Sequence, residues 1–174
     1  MKTFFAIAVF ASVLSAGEWS TPSEVFHDDK RCVSYRARWN GEYVIVEVSV
    51  DPGWHTFAMD NKARHEAMLK GKPSLGVEKD TTIAVSGGLA VEGKWLQTNP
   101  QDFSKPELRW FTYGFEGKAY FAAKAQKTGA GPAQVHLKAQ ACAKEICKNI
   151  DVTMPVTLAA DSVAFDAGSL QPVR

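Results

Sequence analysis

The feature that most constrains the fold is the dipeptide Asn40-Gly41, which lies between two segments of alternating polarity. Every second residue on both sides is apolar or aromatic, namely Val33, Tyr35, Ala37 and Trp39 before it and Val44, Val46, Val48 and Val50 after it. A period of two indicates strands with one buried face, and Asn-Gly favours a two-residue type I′ turn. We therefore predict a β-hairpin in which Ala37 faces Val44 and Tyr35 faces Val46, with both apolar rows on one side.

The rest of the chain contains more short β-prone runs, separated by Gly, Pro and Asn. These runs cover residues 81–85, 89–96, 107–113, 118–125, 133–141 and 149–158. Many short strands with turn residues between them are typical of an all-β antiparallel sandwich. One short helix is compatible with residues 61–70, because Asp60 is a suitable N-cap and Gly71 follows the end.

A length of 174 residues fits one domain with a removable leader. Residues 1–17 combine Lys2, an apolar run and a small-residue end, as in a signal peptide for export. We expect a polar lead-in at 18–30, the folded domain at 31–160 and a loose C-terminal tail at 161–174. No later apolar stretch approaches the roughly 18 residues of a membrane span.

Charge and motifs exclude several function classes. The chain has 20 Lys and Arg against 19 Asp and Glu, so its net charge of +1 lacks the surplus that nucleic-acid binding requires. The sequence contains no paired-carboxylate motif, phosphate-binding loop or G-x-S-x-G motif. Hydrolase chemistry therefore has no support.

The most informative candidates are Cys142 and Cys147, which lie between two predicted strands. A disulfide between them requires a turn, because five residues of strand would separate the cysteines too far. Lys144 and Lys148 flank the pair, and nearby cations favour the thiolate that takes part in exchange. The residues themselves leave open a structural bridge, an exchanging disulfide or, more weakly, half of a zinc site that lacks two further ligands.

Two other groups of residues suggest alternatives. His55, Met59, His65 and Met68 combine imidazole and thioether groups, which suit copper, although His65 and Met68 also fit an ordinary amphipathic stretch. Cys32 lies on the more polar row of the predicted hairpin. It could be a half-exposed reactive thiol, but we expect a buried packing residue, as free cysteines usually are.

Three sequence motifs carry a family resemblance. They are GWHTF at 53–57, YGFEG at 113–117 and QACAKEIC at 140–147. Together they resemble the periplasmic N-terminal domain of the thiol:disulfide interchange protein DsbD, over residues 31–158. The resemblance implies an immunoglobulin-like sandwich with Cys142 and Cys147 as the catalytic redox pair. It also implies an aromatic cap over the pair, for which we expect Tyr113 and Phe115, with Phe115 as the shield.

The resemblance further implies an exported, periplasmic thiol–disulfide oxidoreductase of the protein-disulfide reductase type. Such a protein takes electrons from a membrane-embedded donor and passes them to thioredoxin-fold partners, with no cofactor and no metal. We expect a stand-alone domain, whereas many family members continue into further domains. Lys148-Asn149-Ile150 replaces the apolar residue and prolines common after the second cysteine, so the local loop geometry should differ. The alternatives are an exported sandwich with an inert disulfide and, less favoured, a periplasmic copper-binding protein.

Overall fold

The structure is a computed structural model that describes residues 18–158 and 164–174, so the predicted signal peptide at 1–17 lies outside the described residues. The described elements are β1 (Ser23–His27), β2 (Lys30–Trp39), β3 (Tyr43–Val50), β4 (His55–Phe57), α1 (Asn61–Leu69), β5 (Thr82–Gly87), β6 (Leu89–Gln97), β7 (Gln101–Asp102), β8 (Tyr113–Phe115), β9 (Lys118–Lys127), β10 (Ala133–Cys142), β11 (Cys147–Val156) and β12 (Gln171–Pro172). No helix among these residues is long and apolar enough to cross a membrane.

The strands form two antiparallel sheets that pack face to face. The first sheet has the order β1-β2-β3-β9-β6-β12, and the second has the order β11-β10-β4-β8-β7, with β5 also paired to β10. This architecture is an immunoglobulin-like β-sandwich. It confirms the predicted all-β fold class, and α1 confirms the single short helix.

The two sheets are joined through the buried side chain of Tyr35. Its hydroxyl forms a 3.2 Å hydrogen bond with Thr56 Oγ1 in the opposite sheet, and Thr56 Oγ1 donates to Gln140 O at 2.9 Å. Burial raises the pKa of Tyr35, so the phenol stays neutral. These bonds tie the first sheet to β10, the strand that carries Cys142.

The predicted hairpin is present, but its register differs by two residues from our prediction. Trp39 pairs with Val44 and Ala37 pairs with Val46, and three residues, 40–42, lie between β2 and β3. The Asn40 side chain causes the difference, because its Oδ1 accepts from the backbone N–H groups of Glu42 and Tyr43. A shift of two preserves the facing of the side chains, so the apolar rows still share the core side.

Two predicted boundaries and one predicted strand also need correction. The lead-in contributes β1, which pairs with β2. In the predicted tail 161–174, the described residues 164–174 are held to the domain, because β12 pairs with β6 and Val173 N donates to Trp95 O. Within the predicted strand 107–113, only the last residue, Tyr113, belongs to a strand, and the preceding part includes the 3-10 turn Pro106–Leu108.

The buried carboxylate of Asp60 holds α1, β6 and the C-terminus together. Its oxygens accept from Arg64 Nε at 2.8 Å, Gln97 Nε2 at 2.7 Å and Arg174 N at 3.1 Å. Burial alone would raise the pKa of Asp60, but the hydrogen bonds and the charge of Arg64 outweigh it and lower this pKa. Its contribution to stability is therefore present at neutral pH and is lost as pH falls through the folded-state pKa.

Asp60→Ala should lower the free energy of unfolding by about 3–5 kcal/mol, because it leaves the Arg64 guanidinium buried without its carboxylate. Urea denaturation at pH 7 measures this change. Glu66→Ala on the same helix is the control, since its exposed pair with Lys62 spans 3.9 Å. We expect this control to change stability by less than about 0.5 kcal/mol. Similar losses in both variants would contradict the role of Asp60.

Candidate functional site

The two cysteines close the end of the β10–β11 hairpin. Ten residue pairs run along this ladder, and the last is Cys142 opposite Cys147. The turn between them is closed by Ala143 N, which donates to Ile146 O at 2.8 Å. Side chains directly opposite in an antiparallel pair lie on one face, and here the Cα atoms are 4.0 Å apart and a disulfide joins the cysteines. The chain thus makes the turn that the spacing requires.

The two sulfur-bearing residues differ in accessibility. Cys142 is 3% exposed because β10 is an inner strand, with His55 of β4 as its neighbour on the side away from Cys147. Cys147 is exposed, because β11 is the outer strand of the sheet. A reagent or a partner protein would therefore reach the disulfide at Cys147.

A cleft of about 570 Å³ opens beside the disulfide. One wall is the segment that we call the cap hairpin, residues 101–115, in which β7 and β8 pair and Lys105 bridges to Trp110. This hairpin lines the cleft with Phe103, Leu108 and Trp110. The disulfide thus lies in a recess with aromatic and aliphatic side chains beside it.

The aromatic residues of the cleft are not the ones that the sequence predicted. Phe115 is 2% exposed and packs edge-on against Phe121 at 5.5 Å in the core, because β8 pairs with β4. The ring of Tyr113 lies 5.5 Å from the Arg64 guanidinium. Neither lines the cleft, so the structure does not bring these two predicted cap residues to the disulfide. Phe103 and Trp110 do line it, and the sequence analysis missed them, although aromatic residues on both sides of a proline-containing turn were a signal that could have identified them.

Two contacts join the cap hairpin to the rest of the cleft. The Phe103 ring packs on His55, with centroids 5.2 Å apart and planes inclined by 31°. Trp110 Nε1 donates to both carboxylate oxygens of Glu78, at 3.1 and 3.0 Å. Burial lowers the pKa of His55, although the charges of Glu78 and Glu116 oppose this, so its imidazole is neutral at pH 7.

The charge around the disulfide is mixed. The charged residues that line the cleft are two lysines, Lys105 and Lys144, and three glutamates, Glu78, Glu116 and Glu145. The surplus of positive charge expected from Lys144 and Lys148 is therefore offset. Local charge alone does not mark one sulfur as the more reactive, and accessibility is the clearer difference between them.

Among the residues considered for copper, His65 already has a hydrogen-bond partner at each ring nitrogen. His65 uses both ring nitrogens, with Nδ1 bonded to Phe111 O at 3.0 Å and Nε2 to Ser74 Oγ at 2.8 Å. Among residues 18–158 and 164–174, no group of three or more His, Cys, Asp or Glu side chains could hold a metal ion. His65 instead supports the base of the cap hairpin.

Cys32 is a free and fully buried thiol, which confirms the expectation of a packing residue. Burial raises its pKa, although the charge of Lys148 opposes this. A thiol that is both buried and protonated reacts slowly. Cys32 is therefore separate from the chemistry of the pair.

Comparison with known proteins gives a structural match only. No family model and no curated protein matches the sequence. The N-terminal periplasmic domain of ScsB from Proteus mirabilis matches with a TM-score of 0.57 and 16% identity, over 86% of this chain and 55% of that one. This chain has the fold of that domain. It spans little more than half the length of the ScsB domain.

A second solved structure is the N-terminal domain of DsbD from Neisseria meningitidis, in the reduced form. It matches with a TM-score of 0.48 and 13% identity, over 71% of this chain and 82% of that one. The match to the N-terminal periplasmic domain of ScsB confirms the resemblance found in the sequence at the level of the fold.

After mild reduction, Cys147 should react with iodoacetamide at least about tenfold faster than Cys142, because only Cys147 is exposed. Mass spectrometry of peptides from short labelling times measures the two rates. Cys32 is the internal control and should be labelled only in denaturant. Equal labelling of Cys142 and Cys147 in the folded protein would contradict the difference in access.

Proposed function

We propose that the chain is a thiol–disulfide oxidoreductase of the protein-disulfide reductase type, with Cys142 and Cys147 as its redox pair. The observation that carries the proposal is the arrangement of the disulfide. One sulfur-bearing residue is exposed, the other is buried directly opposite, and both lie at a hairpin end inside a cleft. An exchange reaction needs this combination of one accessible sulfur and one resolving sulfur close by.

The reaction transfers two electrons and two protons. In the reduced form, the Cys147 thiolate attacks one sulfur of a partner disulfide, whose S–S bond breaks while the departing thiolate takes up a proton. Cys142 then loses its proton and attacks Cys147 Sγ, which breaks the mixed disulfide and releases the second partner thiol. The partner is reduced and the Cys142–Cys147 disulfide is formed. Because Cys142 is already held opposite Cys147, this second step is intramolecular and favoured.

We propose thioredoxin-fold proteins as the partners that receive electrons, and a membrane-embedded dithiol protein as the donor that reduces this chain again. The similarity in fold to the ScsB domain supports this assignment. The proposal also places the protein in the periplasm, exported by residues 1–17, with an exchange domain that includes β1 and β12. A periplasmic setting suits a disulfide-based shuttle, since thiols there can be oxidised and must be reduced by a dedicated donor.

The competing candidate is an inert structural bridge. A disulfide that closes so short a loop stabilises the chain by only roughly 2 kcal/mol in the loop-entropy model. The hairpin it closes is already held by a ladder of ten residue pairs. A purely structural role would therefore add little, whereas the exposure of Cys147 has a direct use in exchange.

The pair should cycle reversibly with a reduction potential less negative than about −300 mV, the range below which structural disulfides typically lie. Equilibration in graded glutathione and dithiothreitol buffers, followed by alkylation and mass measurement, gives the potential. Cys32→Ser is the matched control and should leave it unchanged, because Cys32 lies outside the pair. A pair that stays oxidised down to strongly reducing potentials would favour the inert structural bridge and contradict the proposed oxidoreductase function.

Cys142→Ser should trap a mixed disulfide, because Cys147 can still attack but nothing resolves the product. Incubation with an oxidised thioredoxin-fold protein and non-reducing electrophoresis detect the adduct. Cys147→Ser is the control and should trap several-fold less, since Cys142 is buried. A stronger adduct in the Cys147→Ser variant would reverse the roles assigned to the two cysteines.

A further inference from the structure

Glu78 and Lys79 are adjacent in the chain and bond to opposite sides of the cleft. Glu78 accepts from Trp110 Nε1 of the cap hairpin. Lys79 bonds to the redox hairpin, where its backbone N–H donates to Gln140 Oε1 at 3.2 Å and its Nζ donates to Asn149 Oδ1 at 3.0 Å. Gln140 and Asn149 are paired across β10 and β11, two positions before the disulfide. This dipeptide therefore connects the cap to the strands that carry the cysteines.

We propose that Glu78 is a positioning residue for the exchange reaction: its carboxylate holds Trp110, and with it the tip of the cap hairpin, beside the Cys142–Cys147 disulfide. Release of this contact then widens the cleft through which a reagent or partner approaches the disulfide. The physiological meaning of this control rests on the proposed function. The contact itself and its effect on access to the disulfide do not depend on the proposed function.

The base of the cap hairpin is held independently of Glu78. Tyr113 N donates to Asn61 Oδ1 at 2.7 Å, and His65 Nδ1 is bonded to Phe111 O. The short pairings of β8 with β4 and with β7 add to this support. Loss of the Glu78 contact should therefore free the tip and leave the base and the core in place.

The tip, residues 104–110, has few other polar contacts with the body of the domain. Among the described residues, the only other side-chain hydrogen bond from the tip to the body joins Arg109 Nη1 to Pro73 O, at 3.4 Å on the exposed surface. The bond from Trp110 is shorter and its acceptor is charged, which makes it the stronger of the two. A tryptophan side chain has only one hydrogen-bond donor. Without the Glu78 carboxylate, Trp110 Nε1 could therefore reach another acceptor only if the ring moved.

The position of Glu78 is itself fixed relative to the cysteines. Asn61 Nδ2 donates to Glu78 O at 3.0 Å, which anchors the backbone at this residue. The bonds from Lys79 to Gln140 and Asn149 hold the same segment against the redox hairpin. The carboxylate therefore acts as a fixed anchor for Trp110, and the tip of the cap is the part that can move.

The test uses the oxidised full-length protein and dithiothreitol in excess, with the rate of disulfide reduction followed by quenched alkylation. Glu78→Ala and Trp110→Phe should each raise this rate about three- to tenfold, because a hydrogen bond to a charged group is lost and the open population rises. Glu78→Gln keeps an acceptor oxygen and should retain most of the protection. The Glu78→Ala, Trp110→Phe double variant should match the single variants, because both remove the same contact.

Glu107→Ala is the control for charge, since it removes a carboxylate from the same hairpin at an exposed position. It should leave the reduction rate within twofold of the wild type. Rates unchanged by Glu78→Ala and by Trp110→Phe, or additive effects in the double variant, would overturn the proposal. Thermal unfolding identifies a misfolded variant, and Trp110→Phe provides the test if Glu78→Ala does not fold.

The result is distinguishable from failure of the proposed function. Excess dithiothreitol reduces even a structural disulfide in time, so relative rates are measurable whatever the reduction potential. A strongly negative potential with the expected rate changes would reject the shuttle and keep Glu78 as the residue that controls access. A suitable potential with unchanged rates would reject the role of Glu78 alone.

Discussion

The register of the β10–β11 ladder is the constraint on which the site depends. It places Cys142 and Cys147 opposite each other, and a slip of one residue would turn the two side chains to opposite faces. The ladder is held from both sheets, because Thr56 Oγ1 donates to Gln140 O and also bonds the buried hydroxyl of Tyr35. The packing of the sandwich thus determines where the disulfide lies.

The domain separates a fixed part of the site from a part that can move. The sulfurs lie at the end of a long ladder, whereas the neighbouring cap hairpin has a paired base and a tip with few polar contacts. Local opening is easiest where backbone and side-chain bonds are few, so the tip can open while the cysteines keep their geometry. A disulfide on a rigid scaffold beside a releasable hairpin can be partly enclosed while Cys147 stays accessible.

The pattern of apolar and turn residues was enough to predict the sandwich, the short helix α1 and the β2–β3 hairpin. The hairpin register was not predictable from Asn40-Gly41 alone, because the Asn40 side chain binds two backbone N–H groups and lengthens the loop. The cysteine spacing predicted the turn, but which sulfur is exposed depends on which strand is outermost. Phe115 was expected beside the disulfide and lies in the core, since strand pairing decides which aromatic ring enters the core and which lines the cleft.

The position of β11 at an open sheet edge has a consequence for self-association. An exposed strand edge can pair with the same edge of another copy, which is a route to aggregation. Pro155 lacks a backbone N–H and cannot donate to an added strand. Exposed charged side chains such as Asp151 make the same edge poorly suited to dimerisation. The strand that presents the exposed cysteine therefore also carries groups that disfavour edge-to-edge aggregation.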